Sequence, residues 1–132
     1  MKKVFLSFVS IIRQEGQEHK TKIFVPGVLS TLSDGNQLVF NDTSDNYIVK
    51  TRINYSDKHV YISRDTNPPT RMTMMKDQYI SMVYPTQYGE LEMQTFLTHL
   101  EVNDKGVHFK YKLIYQESEL GEYEIKIDYK EG

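Results

Sequence analysis

Apolar and polar residues alternate along most of the chain, which is the pattern of β-strands with one buried face. In the last segment Tyr123, Ile125, Ile127 and Tyr129 alternate with charged residues. Turn signals such as Asp34-Gly35 separate the segments. The same period of two predicts further strands over residues 4–12, 19–29, 37–41, 47–55, 60–64, 70–75, 79–84 and 107–115.

The longest segment, Tyr88 to Val102, changes phase along its length. Its odd positions are apolar first, namely Leu91, Met93, Thr95 and Leu97. The later apolar positions are even, namely Phe96, Leu100 and Val102. Such a slip predicts a β-bulge near Phe96, with one extra residue in a long strand. An amphipathic helix is the alternative, because four apolar residues also fit helical spacing. Because the neighbouring segments are predicted to be strands, a strand with a bulge is favoured over the helix.

Eight to ten strands in succession, joined by short turns, predict an all-β fold. A sheet of this size usually curls and closes. We therefore expect a single antiparallel up-and-down β-barrel domain spanning residues 1–132. The interior of such a barrel is either filled by side chains or holds one small ligand.

Charge and cysteine content narrow the functional classes. The chain has 16 basic and 18 acidic residues, interleaved, so we expect neither nucleic acid nor membrane as a partner. Cysteine is absent, which excludes disulfides and thiolate metal sites and fits a reducing, cytoplasmic location. Lys2 and Lys3 precede an apolar run, but Arg13 follows without a small-residue cleavage site. A first strand is thus favoured over a secretory signal.

Several short motifs, taken in order, resemble those of the YwiB-like family of small bacterial proteins of unknown function. They are Gly27 in the second strand, Arg64 before a turn, Met72 after it, the run Tyr88-Gly89-Glu90-Leu91-Glu92-Met93, and Thr95. The sequence departs from the family pattern in the loop at Asn67-Pro68-Pro69 and is shorter around Asp77. The resemblance implies a calycin-like, that is lipocalin-like, barrel. It brings no binding or catalytic residues with it.

Arg64 is the most informative charged residue, because it lies in phase with Val60 and Ile62 and should point into the barrel. A buried guanidinium needs a partner, and the inferred inward faces contain no obvious carboxylate. An anionic ligand could fill that role through bidentate contacts. The alternative is that Arg64 ends its strand at the rim and extends into water.

These observations lead to three functional hypotheses. The first is a barrel that binds a small amphipathic or anionic ligand, with Arg64 at its head group. The predicted lining consists of Arg64, Leu91, Met93, Tyr111, Leu113 and Tyr123. The second is a filled structural barrel that acts as a protein-interaction module through its outer surface. Internal methionines cluster in the middle strands, and they suit both a ligand cavity and a filled core.

An enzyme is the third hypothesis and the least favoured, because no catalytic motif is visible. It would combine Arg64, His99 and a glutamate in the barrel mouth. Glu90 and Glu92 share one strand face, but that face should be solvated. The four histidines lack the close spacing of a local metal motif. We therefore predict no catalytic residues, no metal site and no cofactor.

Overall fold

The computed structural model describes residues 1–44 and 47–132, and within these ranges it contains ten strands and no helix. The all-β prediction is therefore confirmed. The strands are β1 Lys2–Gln14, β2 Gln17–Leu32, β3 Gly35–Ser44, β4 Tyr47–Tyr55, β5 His59–Arg64, β6 Thr70–Met75, β7 Tyr79–Thr86, β8 Gly89–Asn103, β9 Gly106–Tyr115 and β10 Ser118–Glu131.

All ten strands belong to one antiparallel sheet in the order β6-β5-β4-β3-β2-β1-β10-β9-β8-β7. The last strand thus pairs with the first, as a meander must do to curl into a barrel. The edges β6 and β7 meet at a seam, where buried Thr95 donates a hydrogen bond to the Thr73 carbonyl at 3.1 Å. The predicted antiparallel barrel is confirmed and is nearly closed. A helix long and apolar enough to cross a membrane does not occur in the described ranges.

The predicted bulge is confirmed in β8, where the pairing with β9 shifts between Leu97 and His99. Its position also agrees with the predicted bulge near Phe96. Phe96 lies on the outer face, where its ring packs against Tyr79 with centroids 4.5 Å apart. The extra residue is Thr98, whose hydroxyl donates to the Lys110 carbonyl at 3.3 Å. Beyond it the even positions of β8 face inward.

The third strand is longer than its sequence pattern predicts. The predicted strand over residues 37–41 leaves Asp42 in a polar loop over residues 42–46, but β3 continues to Ser44. Asp42 pairs with Val49 in the ladder between β3 and β4, so it keeps the inward phase of Phe40. Asp45 and Asn46, which complete that predicted loop, lie outside the described residues.

The two ends of the barrel differ. The turns Gln14–Gln17, Thr86–Gly89 and Tyr115–Ser118 lie at the end that we call the open end. Both termini and the turn Asn103–Gly106 lie at the other end, the closed end. The interior toward the closed end is filled by side chains that are at most 1% exposed: Leu6, Leu38, Ile53, Tyr55, Val60, Met74, Leu97, Phe109 and Ile127.

Candidate ligand site at the open end of the barrel

The structure places the predicted apolar lining residues on the inward face toward the open end. Leu91, Met93, Leu113 and Tyr123 are half-buried there, whereas Tyr111 is only 6% exposed. All five residues lie on the neighbouring strands β8, β9 and β10, and Tyr111 pairs directly with Tyr123. In the ladder of β7 with β8, two more inward side chains join them that the sequence analysis did not name: Met82 opposite Met93, and Tyr84 opposite Leu91.

A column of aromatic rings connects the closed core to this site. The rings of Phe109 and Tyr111 have centroids 6.2 Å apart, and those of Tyr111 and Tyr123 are 5.1 Å apart and nearly parallel. Exposure rises along the column, from buried Phe109 to half-buried Tyr123. Burial raises the pKa of Tyr111. Burial also raises the pKa of Tyr123, although a hydrogen bond from the Gln14 side chain partly opposes this. Tyr111 is the floor of the site.

Arg64 faces inward as predicted, and the protein itself supplies its partner. Its Nη2 donates to Oδ1 of Asp42 at 2.8 Å. Thr51, which is buried, donates its hydroxyl to the other Asp42 oxygen at 3.2 Å. The prediction that the inward faces contain no obvious carboxylate is wrong, because β3 extends through Asp42 and directs it inward. The arginine and aspartate side chains are 32% and 17% exposed, so this pair lies at a rim that retains contact with water.

The wall of the site has a gap between β8 and β9, which we call the notch. Their ladder ends at the pair Gln94 and Ile114, so residues 89–93 of β8 pair with β7 alone. A cleft of about 760 Å³ occupies this gap and reaches the turn between β9 and β10. Both faces of the sheet contribute to its lining: Ser81, Met82, Val83, residues 90–94 and residues 114–117. The notch extends the open end sideways through the wall.

The inward side chains of the open end are mainly apolar. It offers an apolar floor, flexible thioethers and one ion pair at the rim. The hypothetical enzyme site of Arg64, His99 and a glutamate does not form, because the bulge turns His99 to the outer face. Glu90 and Glu92 are exposed on that outer face, as predicted.

A second group of charges lies on the outer wall, away from the open end's interior. Arg13 contacts Glu18, Glu122 and Glu124 at 3.0, 3.1 and 2.9 Å. Glu124 is 5% exposed, because the neighbouring polar side chains cover it. Burial alone would raise its pKa, but hydrogen bonds from His108 and Arg13 outweigh that effect and lower the pKa of Glu124 to about 2. Alternation had assigned Glu124 to a solvated face, so its burial could not be predicted.

Comparisons with known proteins agree with this fold. The structure matches the crystal structure of the ywiB protein from Bacillus subtilis with a TM-score of 0.76. The match covers 99% of this chain and 92% of that chain at 16% sequence identity, so it supports the fold alone. A search of curated proteins finds no match. The family model described as a domain of unknown function (DUF1934) matches residues 6–127. The chain therefore belongs to the DUF1934 family, and the predicted membership of a YwiB-like family of unknown function is confirmed.

Proposed function

We propose that this protein binds a small amphipathic molecule at the open end of its barrel. The observation that carries the proposal is the unequal filling of the interior. Toward the closed end, inward side chains such as Leu97 and Phe109 are fully buried, whereas Leu91, on the same strand as Leu97 but toward the open end, is half-exposed. A ligand that covered Leu91, Met93 and Leu113 would remove this apolar surface from water.

The polar part of the ligand is inferred from the rim. Arg64 gives one hydrogen bond to Asp42, and a guanidinium carries five N–H donors. Its other donors can therefore contact a carboxylate, sulfonate or phosphate, while Asp42 can accept from a hydroxyl or an amine. Since Arg64 is already neutralised, an anionic head group should strengthen binding without being required. The ligand is then an apolar body with a hydrogen-bonding or anionic end.

Probe binding tests this proposal directly. We expect 8-anilinonaphthalene-1-sulfonate, which joins apolar rings to a sulfonate, to bind with one molecule per chain and enhanced fluorescence. Leu113→Gln should weaken this binding at least about tenfold, because an amide would face the apolar rings of the probe. Native mass spectrometry of the purified protein provides an independent measurement and should detect a retained small molecule.

The matched control is Phe24→Ser, which removes a 73% exposed ring from the outer wall. Binding should be unchanged in this variant. Equal binding by the wild type and Leu113→Gln, together with loss in Phe24→Ser, would refute the site at the open end.

That outcome would favour a second candidate function, binding of a protein partner on the outer wall. Phe5 and Phe24 are 59% and 73% exposed on the outer faces of β1 and β2. Next to them lies an apolar groove of about 530 Å³, lined in part by Pro26, Val28 and Val39. Exposed apolar surface of this kind often marks an interaction site. The lack of cysteine and the balanced charge support either role in the cytoplasm, without nucleic acid or membrane as partner.

A further inference from the structure

Two histidines from the two strands of the β8–β9 hairpin meet on the outer wall. His99 lies on β8 and His108 lies on β9, where it pairs with Glu101 in the ladder. The two imidazole rings have centroids 4.9 Å apart and stand edge to face. One ligand atom from each of His99, Glu101 and His108 lies within 4.8 Å of the other two. Sequence spacing could not reveal this cluster, because its members lie on the two strands of one hairpin and their contact depends on the register of that hairpin.

The β-bulge creates this cluster. Without the extra residue Thr98, the strict alternation of β8 would place His99 and Glu101 inside the barrel with Leu97. The bulge turns both side chains outward, onto the face that His108 shares. Bulges that redirect side chains in this way occur often next to functional sites.

Glu124 orients the imidazole of His108. Oε2 of Glu124 lies 2.7 Å from Nε2 of His108, and Oε1 of Glu124 accepts from Arg13 at 2.9 Å. A carboxylate has no proton to give, so the imidazole must donate through Nε2. In the neutral ring Nδ1 then carries the free lone pair. A histidine whose second nitrogen donates to a carboxylate is the common arrangement of metal-ligating histidines.

We propose that His99, Glu101 and His108 bind a divalent transition-metal ion, with Zn²⁺ as the best-suited ion. Two imidazoles and one carboxylate are a usual ligand set for zinc, and three protein ligands leave one tetrahedral position for water. Glu124 is a positioning residue that fixes the ring of His108.

The geometry requires only a small adjustment on binding. Zinc bonds of about 2.0–2.1 Å place the ligand atoms of a tetrahedral site about 3.4 Å apart. His99, Glu101 and His108 side chains are 38%, 67% and 27% exposed, so rotation about their side-chain bonds can close the difference. Lys110, which pairs with His99, and Lys126 oppose a cation here, whereas Glu101 and Glu124 favour it. The affinity must therefore come from the ligand atoms themselves.

Calorimetric titration of the metal-stripped full chain with ZnCl₂ tests the proposal. The wild type should bind one ion per chain with a dissociation constant below about 0.1 mM. His99→Ala and Glu101→Gln change side chains that are 38% and 67% exposed, and His99→Ala should weaken binding at least tenfold. His19→Ala changes an exposed histidine on β2 and is the matched control, with binding expected to stay unchanged.

Glu124→Gln separates positioning from a merely structural role. It should weaken Zn²⁺ binding about tenfold to a hundredfold. It should also shift the ¹⁵N resonances of the His108 ring, which report which nitrogen carries the proton. Circular dichroism checks that each variant keeps its β-sheet spectrum. Absence of Zn²⁺ binding to the wild type up to millimolar concentration, or binding that His99→Ala and Glu101→Gln both leave unchanged, would overturn the proposal.

Discussion

The closed and open ends of this barrel have inward faces of similar chemistry but different burial. Leu97 and Leu91 lie on the same face of the same strand, yet Leu97 is fully buried and Leu91 is half-exposed. Residue type therefore does not decide whether this interior is filled. The same face of one strand can therefore be packed toward one end of the barrel and reach water toward the other.

Strand pairing explains the difference. The ladder of β2 with β3 stops at Gly27, next to Pro26, which has no N–H to donate. The ladder of β8 with β9 stops at Gln94. Beyond both points the strands continue toward the open end with one neighbour instead of two, so fewer side chains converge across the interior. Leu97 itself lies next to the seam, where Thr95 bridges to β6.

The largest expected effect compares two leucine truncations on β8. Leu97→Ala should lower the free energy of unfolding by about 3–5 kcal/mol, because it leaves a cavity in a packed core. Leu91→Ala should cost about 1 kcal/mol or less, because water already reaches that side chain. Urea denaturation followed by circular dichroism measures both values.

The pair is its own control, since the same atoms are removed from the same face of one strand. Equal losses of stability in the two variants would contradict the difference between the ends. A larger loss for Leu91→Ala would reverse it.

A smaller effect is expected at high pH, where the buried tyrosines of the two regions can be compared. Burial raises the pKa of Tyr55 in the closed core and of Tyr111 at the floor of the open end. In the unfolded chain a tyrosine ionises near pH 10. Each buried tyrosine that stays neutral in the folded state therefore makes stability fall as pH rises above about 10, by about 1.4 kcal/mol per pH unit. Below that pH its contribution is constant.

Tyr111→Phe and Tyr55→Phe should each remove one such slope, measured by urea denaturation between pH 9 and 11. Tyr55→Phe should leave the folded state stable at neutral pH, because the Tyr55 hydroxyl has no hydrogen-bond partner among the described residues. If Tyr111→Phe left the slope unchanged while Tyr55→Phe flattened it, the floor of the open end would be wetter than we infer.

Local patterns predicted most of the fold. Alternation located all ten strands, the phase slip in β8 predicted a bulge, and the phase of Arg64 predicted its inward direction. The phase switch placed the bulge near Phe96, and the extra residue is Thr98, two positions further on. Asp42 was missed because a polar residue beside other polar residues reads as a loop, although it was in phase with Phe40.

Contacts between strands could not be predicted in the same way. The meeting of His99 with His108 depends on the register of β8 against β9, which the bulge sets. The burial of Glu124 depends on long polar side chains from β1 and β9 that cover it. The ladders of β2 with β3 and of β8 with β9 stop short of the open end. This could not be predicted either, because it depends on how the strands pair and not on any single strand.

Methionine methyl groups allow the most direct measurement of how far solvent enters the barrel, because methionines lie both at the open end and in the closed core. In a ¹³C-methyl methionine NMR spectrum with a soluble nitroxide added, the half-buried Met93 of the open end should broaden strongly. Met74 of the closed core, which is 0% exposed, should stay sharp, and outward-facing Met75, 37% exposed, gives the reference for free access. Equal protection of Met93 and Met74 would contradict an open end and the ligand site proposed there.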